Sequence, residues 1–223
     1  MQASAYAFIS NLDPPPPSNR VWINLERTWA TLVDVNKREE SNPHLWLKSR
    51  HPDIRRPIQT FLYKVLHGAF KIGNFWNNIP HLAQRTHCTI CNKSPESLDH
   101  ILIDCENNTT STIWRLAQQT WPSTFGPWPE IHLGLILGCG SIALPLQDNK
   151  SITRIGPSRL LHILISESAH LIWVLRCERT IQGLDHSVEA IKSRWHNKIN
   201  HHIDLDRHLA TIYNRKPVTK KLV

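Results

Sequence analysis

Apolar residues recur at helical spacing along several stretches of the chain. The clearest set is spaced three or four residues apart and comprises Ile58, Phe61, Leu62, Val65 and Leu66. Pro57 suits a first helical turn and Gly68 a C-terminal stop, so the pattern predicts an amphipathic helix over residues 57–67. The same reasoning predicts three more long helices, over residues 111–121, 158–181 and 187–203.

The remaining segments divide the chain further. Residues 1–17 end in four consecutive prolines and are predicted to form a flexible Pro-rich tail. Ser18 can cap a helix in which an apolar face is predicted to contain Trp22, Leu25, Trp29 and Leu32. Residues 122–157 are rich in Pro and Gly and are predicted to be an irregular connection with a short apolar helix near 131–137. The last units are predicted to be a helical region, 158–214, and a basic tail, 215–223.

Composition indicates an intracellular globular protein with a polyanionic partner. Apolar residues make up 40% and charged residues 20% of the 223 positions, which is ordinary for a folded domain. The net charge of +8 favours nucleic acid, although many soluble proteins are modestly basic. No signal peptide is expected, and the apolar runs at 131–146 and 160–175 are too short or too polar for a membrane span. We therefore expect no membrane partner.

Cysteine usage indicates a metal site in a reducing compartment. The chain has five Cys, an odd number that excludes complete intramolecular pairing. Three of them lie within 18 residues and beside a His, whereas Cys139 and Cys177 stand apart. This distribution is not that of a secreted disulfide framework.

The cluster reads C-x2-C-x8-H-x4-C, with ligands Cys88, Cys91, His100 and Cys105. Structural zinc prefers four tetrahedral sulfur and nitrogen ligands, and two Cys separated by two residues can chelate from one tight turn. Because this set leaves no open coordination position, we predict one structural Zn²⁺ rather than a catalytic one; the alternative is a group of buried thiols without metal. With no alternating strand pattern elsewhere, the predicted fold is an all-α helical domain with a small inserted CCHC zinc knuckle at 88–105.

The flanking residues resemble the zinc-binding region of non-LTR retrotransposon reverse transcriptases, of the fungal type. That family has an aromatic-rich helix, a C-x2-C pair, an E-[ST]-x-x-H-[IL]-[LF] segment, a last Cys and a Trp about nine residues on. The matching positions are Phe61, Leu62, Tyr63, Lys64, His67, Gly68, Cys88, Cys91, Glu96, Ser97, His100, Ile101, Leu102, Cys105 and Trp114. Tyr63 stands where the family usually has Trp. The resemblance covers residues 55–115, within a predicted unit of residues 18–121, and a weaker likeness extends from Trp128 onward.

The resemblance implies a piece of a transposable element. In the family the knuckle follows the polymerase and is thought to help hold template RNA or target DNA. No aromatic-x-Asp-Asp polymerase motif occurs here, and neither the polymerase nor a ribonuclease H domain fits in the chain. We therefore expect a non-catalytic protein that binds RNA or DNA, with no small-molecule substrate and with the nucleus as a suitable location. Protein partners remain open.

Basic residues around the aromatic helix and the knuckle are the candidates for phosphate contacts. They are Lys48, Arg50, Arg55, Arg56, Lys64, Lys71, Arg85 and Lys93. Trp76 is a candidate for stacking on an unpaired base, with burial in the core as the favoured alternative. The competing interpretation of the charges is that they are solvated faces without a partner.

Other functions remain as alternatives. A zinc-stapled helical scaffold for protein interaction needs no nucleic acid, and a non-functional element remnant needs no partner at all. A Mg²⁺-dependent nuclease would need a Pro-Asp and a spaced acidic-x-Lys, matched only by Pro52-Asp53 and residues 148–150. His162 and His170 lie eight apart on one predicted helix, where a polar seam between helices is favoured over a second metal site.

Overall fold

The computed structural model describes residues 18–38, 41–145 and 153–214. Within these ranges the α-helices are α1 (Asn19–Asn36), α2 (Asn42–Lys48), α3 (Arg56–Leu66), α4 (Asn108–Thr120), α5 (Leu133–Leu137), α6 (Ile155–Gln182) and α7 (Val188–Asn214). Turns of 3-10 helix occupy Gly73–Asn78, Pro80–Thr86, Ser123–Phe125 and Cys139–Ser141, and one π-helical turn spans His100–Asp104. The described residues contain no β-strand, only an isolated bridge from Pro145 to Thr153, which confirms the all-α prediction. The predicted tails at 1–17 and 215–223 and the acidic-x-Lys motif at 148–150 lie outside the described residues.

Helix α6 forms the centre of the protein. Nearly every residue from Leu161 to Ile172 is buried, because α3, α4, α5 and α7 all pack against this helix. It is the one helix among the described residues that is long and apolar enough to cross a membrane, and 72% of its most apolar window is buried in the protein. Packing in the core therefore accounts for its apolar character.

The buried face of α1 differs from the predicted one. Leu25 and Leu32 are buried as expected, but Trp22 and Trp29 are 48% and 39% exposed. The remaining buried positions are Val21, Thr28 and Asn36. The polar members of this face have hydrogen-bond partners: Thr28 donates to Asn24 O at 2.7 Å within the helix, and Asn36 donates to the distant Ser141 O at 2.9 Å. The predicted apolar face was therefore right at Leu25 and Leu32 and wrong at the two tryptophans, whose preceding neighbours are buried instead.

The segment around α5 belongs to the core. The short apolar helix predicted near 131–137 is present, but every residue from Leu133 to Ile142 is buried. Its glycines allow close backbone approach: a Cβ at Gly134 would lie 2.4 Å from Arg27 O, and one at Gly140 would lie 2.3 Å from Lys48 O. Glycine was read from the sequence as a loop marker, whereas here it lets α5 pack directly on α1.

The other helices lie close to their predicted positions. Helices α3, α4 and α6 begin one to three residues before the predicted starts, and α7 continues to Asn214. The early start of α4 follows from Asn107, whose side chain accepts a hydrogen bond from Thr110 N at 2.6 Å and so caps the helix. Helix α2 was not predicted, because its seven residues are too few to show a helical period.

Candidate metal centre

The first two candidate ligands lie on one tight turn. Asn92 N donates to Cys88 O at 3.0 Å, and Cys88 N donates to Lys93 O at 3.0 Å, which closes the chain around the C-x2-C pair. Asn92 adopts φ +58°, a left-handed conformation that Asn tolerates better than most residues. Glu96 N then donates to Thr86 O at 2.8 Å and joins the two ends of the loop.

The other two candidate ligands are placed by the π-helical turn. Ser97 caps this turn, since its hydroxyl accepts from His100 N at 3.1 Å. Cys105 N donates to His100 O at 2.8 Å, a bond between residues five apart that defines the π turn. This wider turn brings residues 100 and 105 to the same side, which the x4 spacing alone does not guarantee.

The four side chains converge on one point. All four ligand atoms lie within 4.8 Å of one another, with Cys91 Sγ 3.3 Å from His100 Nε2. Cys88 Sγ and Cys105 Sγ are 3.7 Å apart, far beyond the S–S bond of about 2.05 Å in a disulfide. Tetrahedral zinc with Zn–S bonds of about 2.3 Å would hold two sulfurs about 3.8 Å apart. The residues therefore fit one zinc ion.

The ionisation of the candidate ligands also suits a metal. Burial raises the pKa of the Cys88 thiol, but the N–H groups of Cys91 and Ile90 donate to its sulfur and bring the net pKa below its ordinary value. Burial and the adjacent Cys88 sulfur raise the pKa of Cys105 to about 11. Burial lowers the pKa of His100, and nearby Lys93 lowers it further, so the ring is neutral. The lowered pKa of Cys88 and the neutral ring of His100 favour zinc ligation, whereas Cys105 has to lose its proton when zinc binds.

Long-range contacts fix the knuckle to the helical core. The Glu96 carboxylate forms two hydrogen bonds with the Arg176 guanidinium of α6, and both side chains are less than 10% exposed. On the other side, Trp114 of α4 donates its indole N–H to Leu102 O at 2.8 Å. The sequence matched Glu96 and Trp114 to a family pattern but could not assign these contacts, because their partners are not adjacent in sequence.

The candidate phosphate-binding residues differ in solvent exposure and in their contacts. Arg50, Arg56, Lys64, Lys71 and Lys93 are exposed, whereas Lys48 and Arg85 are half-buried. The Arg85 guanidinium lies 5.5 Å from the centre of the Trp76 ring, and Trp76 donates its indole N–H to Lys71 O at 3.0 Å. Trp76 is half-buried, so it is neither a core residue nor a free stacking platform.

Arg55 has a structural partner that sequence reasoning missed. Its Nε and Nη2 atoms each donate to the Glu167 carboxylate at 2.5 Å, and Glu167 is fully buried. His202 of α7 lies 2.8 Å from the same carboxylate. The two hydrogen bonds give Arg55 a structural role in joining α3 to α6. A substitution at Arg55 is therefore expected to affect folding, and it is a poor test of phosphate binding.

A second group of ligand-type side chains occurs beside α6. Asp53 accepts from Arg159 Nε at 2.9 Å and lies 3.0 Å from His162 Nδ1 and 3.3 Å from His51 Nδ1. His162 Nε2 lies 2.8 Å from Ile142 O. Both Asp53 oxygens thus have a nitrogen partner, and the cluster can be balanced without a metal ion. This agrees with the polar seam predicted for His162.

His170 lies apart from that cluster. Its ring packs edge-on against Phe61, with centroids 5.5 Å apart, and its Nδ1 atom is buried without a hydrogen-bond partner in the described part of the chain. Burial and the positive charge of Lys198 lower the pKa of His170 to about 4. His170 is therefore a neutral packing residue.

No family model matches the chain, and no curated protein or solved structure shows significant similarity to it. The fold and the site accordingly define a helical protein with a cluster of three cysteines and one histidine that can hold one metal ion. A more specific function rests on the chemistry of its own residues.

Proposed function

We propose that Cys88, Cys91, His100 and Cys105 bind one structural Zn²⁺ and that the protein is a non-catalytic nucleic-acid-binding module. The observation that carries the metal assignment is the convergence of all four ligand atoms within 4.8 Å. Three sulfurs and one imidazole complete a tetrahedron, which leaves no position for substrate and gives the ion a structural role. When bound, the ion cross-links the C-x2-C turn to the π turn.

Charge supports the nucleic-acid part of the proposal. The chain carries +8, and its sequence pI is near 9.5. Lys93 is exposed between Cys91 and the π turn, and Arg50, Arg56 and Lys64 are exposed around α3. Arg56, Lys64 and Lys93 lie in the stretch that resembles the reverse-transcriptase zinc-binding region, and Arg50 lies just before it. Cations at such positions favour contact with phosphates and make the affinity depend on salt.

Zinc stoichiometry tests the metal assignment. Purified protein should contain about one zinc per chain, and Cys91→Ser should lose it together with helicity measured by circular dichroism. Cys91 is the suitable position because its side chain is exposed, so the change removes a ligand without altering the core. Cys177→Ser is the matched control, since Cys177 lies outside the cluster. A wild-type protein that folds stably without zinc would contradict the assignment.

The salt dependence of RNA and DNA binding tests the nucleic-acid part of the proposal. Fluorescence anisotropy with labelled RNA and DNA should give an affinity that falls with salt concentration. Arg56→Glu should weaken binding, whereas Arg115→Glu, an equal charge change at an exposed position of α4, should have a smaller effect. Affinity that is insensitive to salt and to Arg56→Glu would remove the support for a phosphate-binding face around α3.

One observation favours a protein-interaction scaffold as a second candidate. Helix α1 presents Trp22, Ile23 and Trp29 at 48%, 52% and 39% exposure. Large exposed apolar side chains on one helix are typical of protein contact surfaces. Trp22→Ser should then reduce capture of a protein partner while leaving RNA affinity unchanged; loss of RNA affinity instead would assign this face to nucleic acid.

A further inference from the structure

A groove of about 930 Å³ lies directly beside the knuckle. It is bounded by α1, by the chain that follows α3, by the 3-10 turn Gly73–Asn78 and by the knuckle residues just before the π turn. We call it the knuckle groove; its lining includes Arg20, Ile23, Lys71, Phe75, Leu98 and Asp99. Its volume is near the upper end of the roughly 300–1,000 Å³ typical of ligand sites.

The acidic groups of the knuckle groove are already neutralised. Asp99 is bound by the Arg27 guanidinium, with Nη1 3.2 Å from Oδ2. Glu96 is buried against Arg176. Within the described part of the chain, Arg20 and Lys71 have no carboxylate partner, although both line the same groove. The groove therefore has a positive balance and suits an anionic occupant.

An exposed aromatic ring, Phe75, lies against one of these two cations, Lys71. Phe75 is 45% exposed, and Lys71 Nζ lies 5.3 Å from the centre of its ring. The Trp76 and Phe75 rings are perpendicular with centroids 5.0 Å apart, a contact that holds the Phe75 ring in place. Ile23 on α1 is 52% exposed and lines the same groove. Lys71 lies over the ring, yet Phe75 remains 45% exposed, so an unpaired base can stack on its exposed part while the cation neutralises a phosphate.

The knuckle determines the shape of this groove. Gly73 adopts φ +51°, and a Cβ at this position would lie 2.2 Å from Glu96 O, so the turn that carries Phe75 is seated directly on the knuckle loop. Lys71 and Phe75 are thereby placed relative to the segment that leads to His100. Metal binding at the candidate centre would consequently stabilise the groove.

We infer that the knuckle groove binds a short single-stranded segment of RNA or DNA, with phosphates at Arg20 and Lys71 and a base stacked on Phe75. A duplex keeps its bases inside the stack, where Phe75 cannot reach them. The inference rests on the proposed nucleic-acid binding and adds its location and its preference for single strands. It uses Arg20 and Phe75, neither of which belongs to the basic patch around α3.

Anisotropy with a labelled single strand and with the duplex of the same sequence tests this inference. Phe75→Ala should weaken single-strand binding roughly 5- to 150-fold, the range found for loss of one stacked base, and should leave duplex binding unchanged. Arg20→Gln with Lys71→Gln should reduce the salt slope by about 0.7 per lost phosphate contact. Tyr63→Ala, an exposed aromatic that does not line the groove, and Arg115→Gln are the matched controls.

The outcomes separate this inference from the proposed function. Zinc content and circular dichroism of each variant must match the wild type, so that lost binding is not lost folding. If the wild type binds nucleic acid but the groove variants behave like their controls, the groove assignment is wrong and the proposed function stands. Preference of the wild type for duplex also overturns the groove assignment. If the wild type binds neither form, the groove assignment and the nucleic-acid part of the proposed function both fail.

Discussion

At the scale of single residues, buried charges determine how the knuckle meets the helical core. Glu96 and Arg176 are 4% and 9% exposed and lie 80 positions apart in the chain. A buried ion pair contributes little net stability against an apolar pair, but losing one partner leaves an uncompensated charge. The pair therefore makes docking of the knuckle on α6 specific.

Arg176→Met tests this role. It should lower the free energy of unfolding by about 3–5 kcal/mol, because Glu96 stays buried without a partner. Adding Glu96→Gln should restore part of that loss. Arg27→Met is the control, since its pair with Asp99 is far more exposed and should be worth about 0–1 kcal/mol. Urea denaturation with saturating zinc gives all three values; equal losses for Arg176→Met and Arg27→Met would show that burial of the pair is unimportant.

The contact between the Cys88 and Cys105 thiols leads to a second prediction at the scale of single residues. With its pKa raised to about 11 by burial and by Cys88, Cys105 is protonated at neutral pH before metal binds. Zinc binds thiolates, so adding zinc to metal-free protein should release at least one proton per chain. A pH indicator in weakly buffered solution measures the release. Mg²⁺, which prefers oxygen ligands, is the control and should release none; zinc binding without proton release would exclude Cys105 as a ligand.

At the scale of elements, close contact between α1 and α5 depends on glycine. Gly134→Ala would place its Cβ 2.4 Å from Arg27 O, so α5 must move or strain. Overpacking of this kind costs about 1–3 kcal/mol. Gly156→Ala is the matched control: nothing lies within 4 Å, and in the first turn of α6 it should be neutral or stabilising by about 0.4–1 kcal/mol. Thermal denaturation of both variants decides whether the close approach matters.

Local patterns explain which elements were predictable. Helices α3, α4, α6 and α7 were found because each has enough turns for its apolar period to be visible in sequence. The buried face of α1 was misjudged because Trp22 is as apolar as the neighbouring Val21, and only α3 and α5, the helices that pack on α1, decide which one is covered. Glycines in the α5 segment were taken as loop signals because their partners, Arg27 and Lys48, lie about 100 residues earlier.

The candidate metal centre likewise has one part that the sequence predicted and another that it could not. Its four ligands were predicted because their spacing is local, and the structure brings them together. The contacts that hold the centre in place, Glu96 with Arg176 and Trp114 with Leu102, depend on tertiary packing and carry no spacing signal. The knuckle groove likewise needs α1 and the Phe75 turn to meet, which no sequence period indicates.

At the scale of the whole molecule, Glu167 joins three helices. It is fully buried on α6, and its carboxylate is bound by Arg55, which immediately precedes α3, and by His202 on α7. Burial alone would raise the pKa of Glu167, but hydrogen bonds from His202 and Arg55 outweigh it and hold the pKa at about 2. The ordinary value is 4.5. The unfolded chain therefore binds a proton at this position at higher pH than the folded protein does.

This difference predicts an acid-sensitive core. A carboxyl with a depressed folded pKa contributes stability that is complete above the unfolded value of 4.5 and is lost as the pH falls towards about 2. Denaturation between about pH 5 and pH 3 should therefore show a steep loss in wild type and a shallower loss in Glu167→Gln, which cannot titrate. Running both proteins in metal-free form removes any contribution of zinc release, so the difference between their slopes reports on the loss of the Glu167 carboxyl. Equal slopes would mean that Glu167 has the same pKa folded and unfolded, and that the link between α3, α6 and α7 is not ionic.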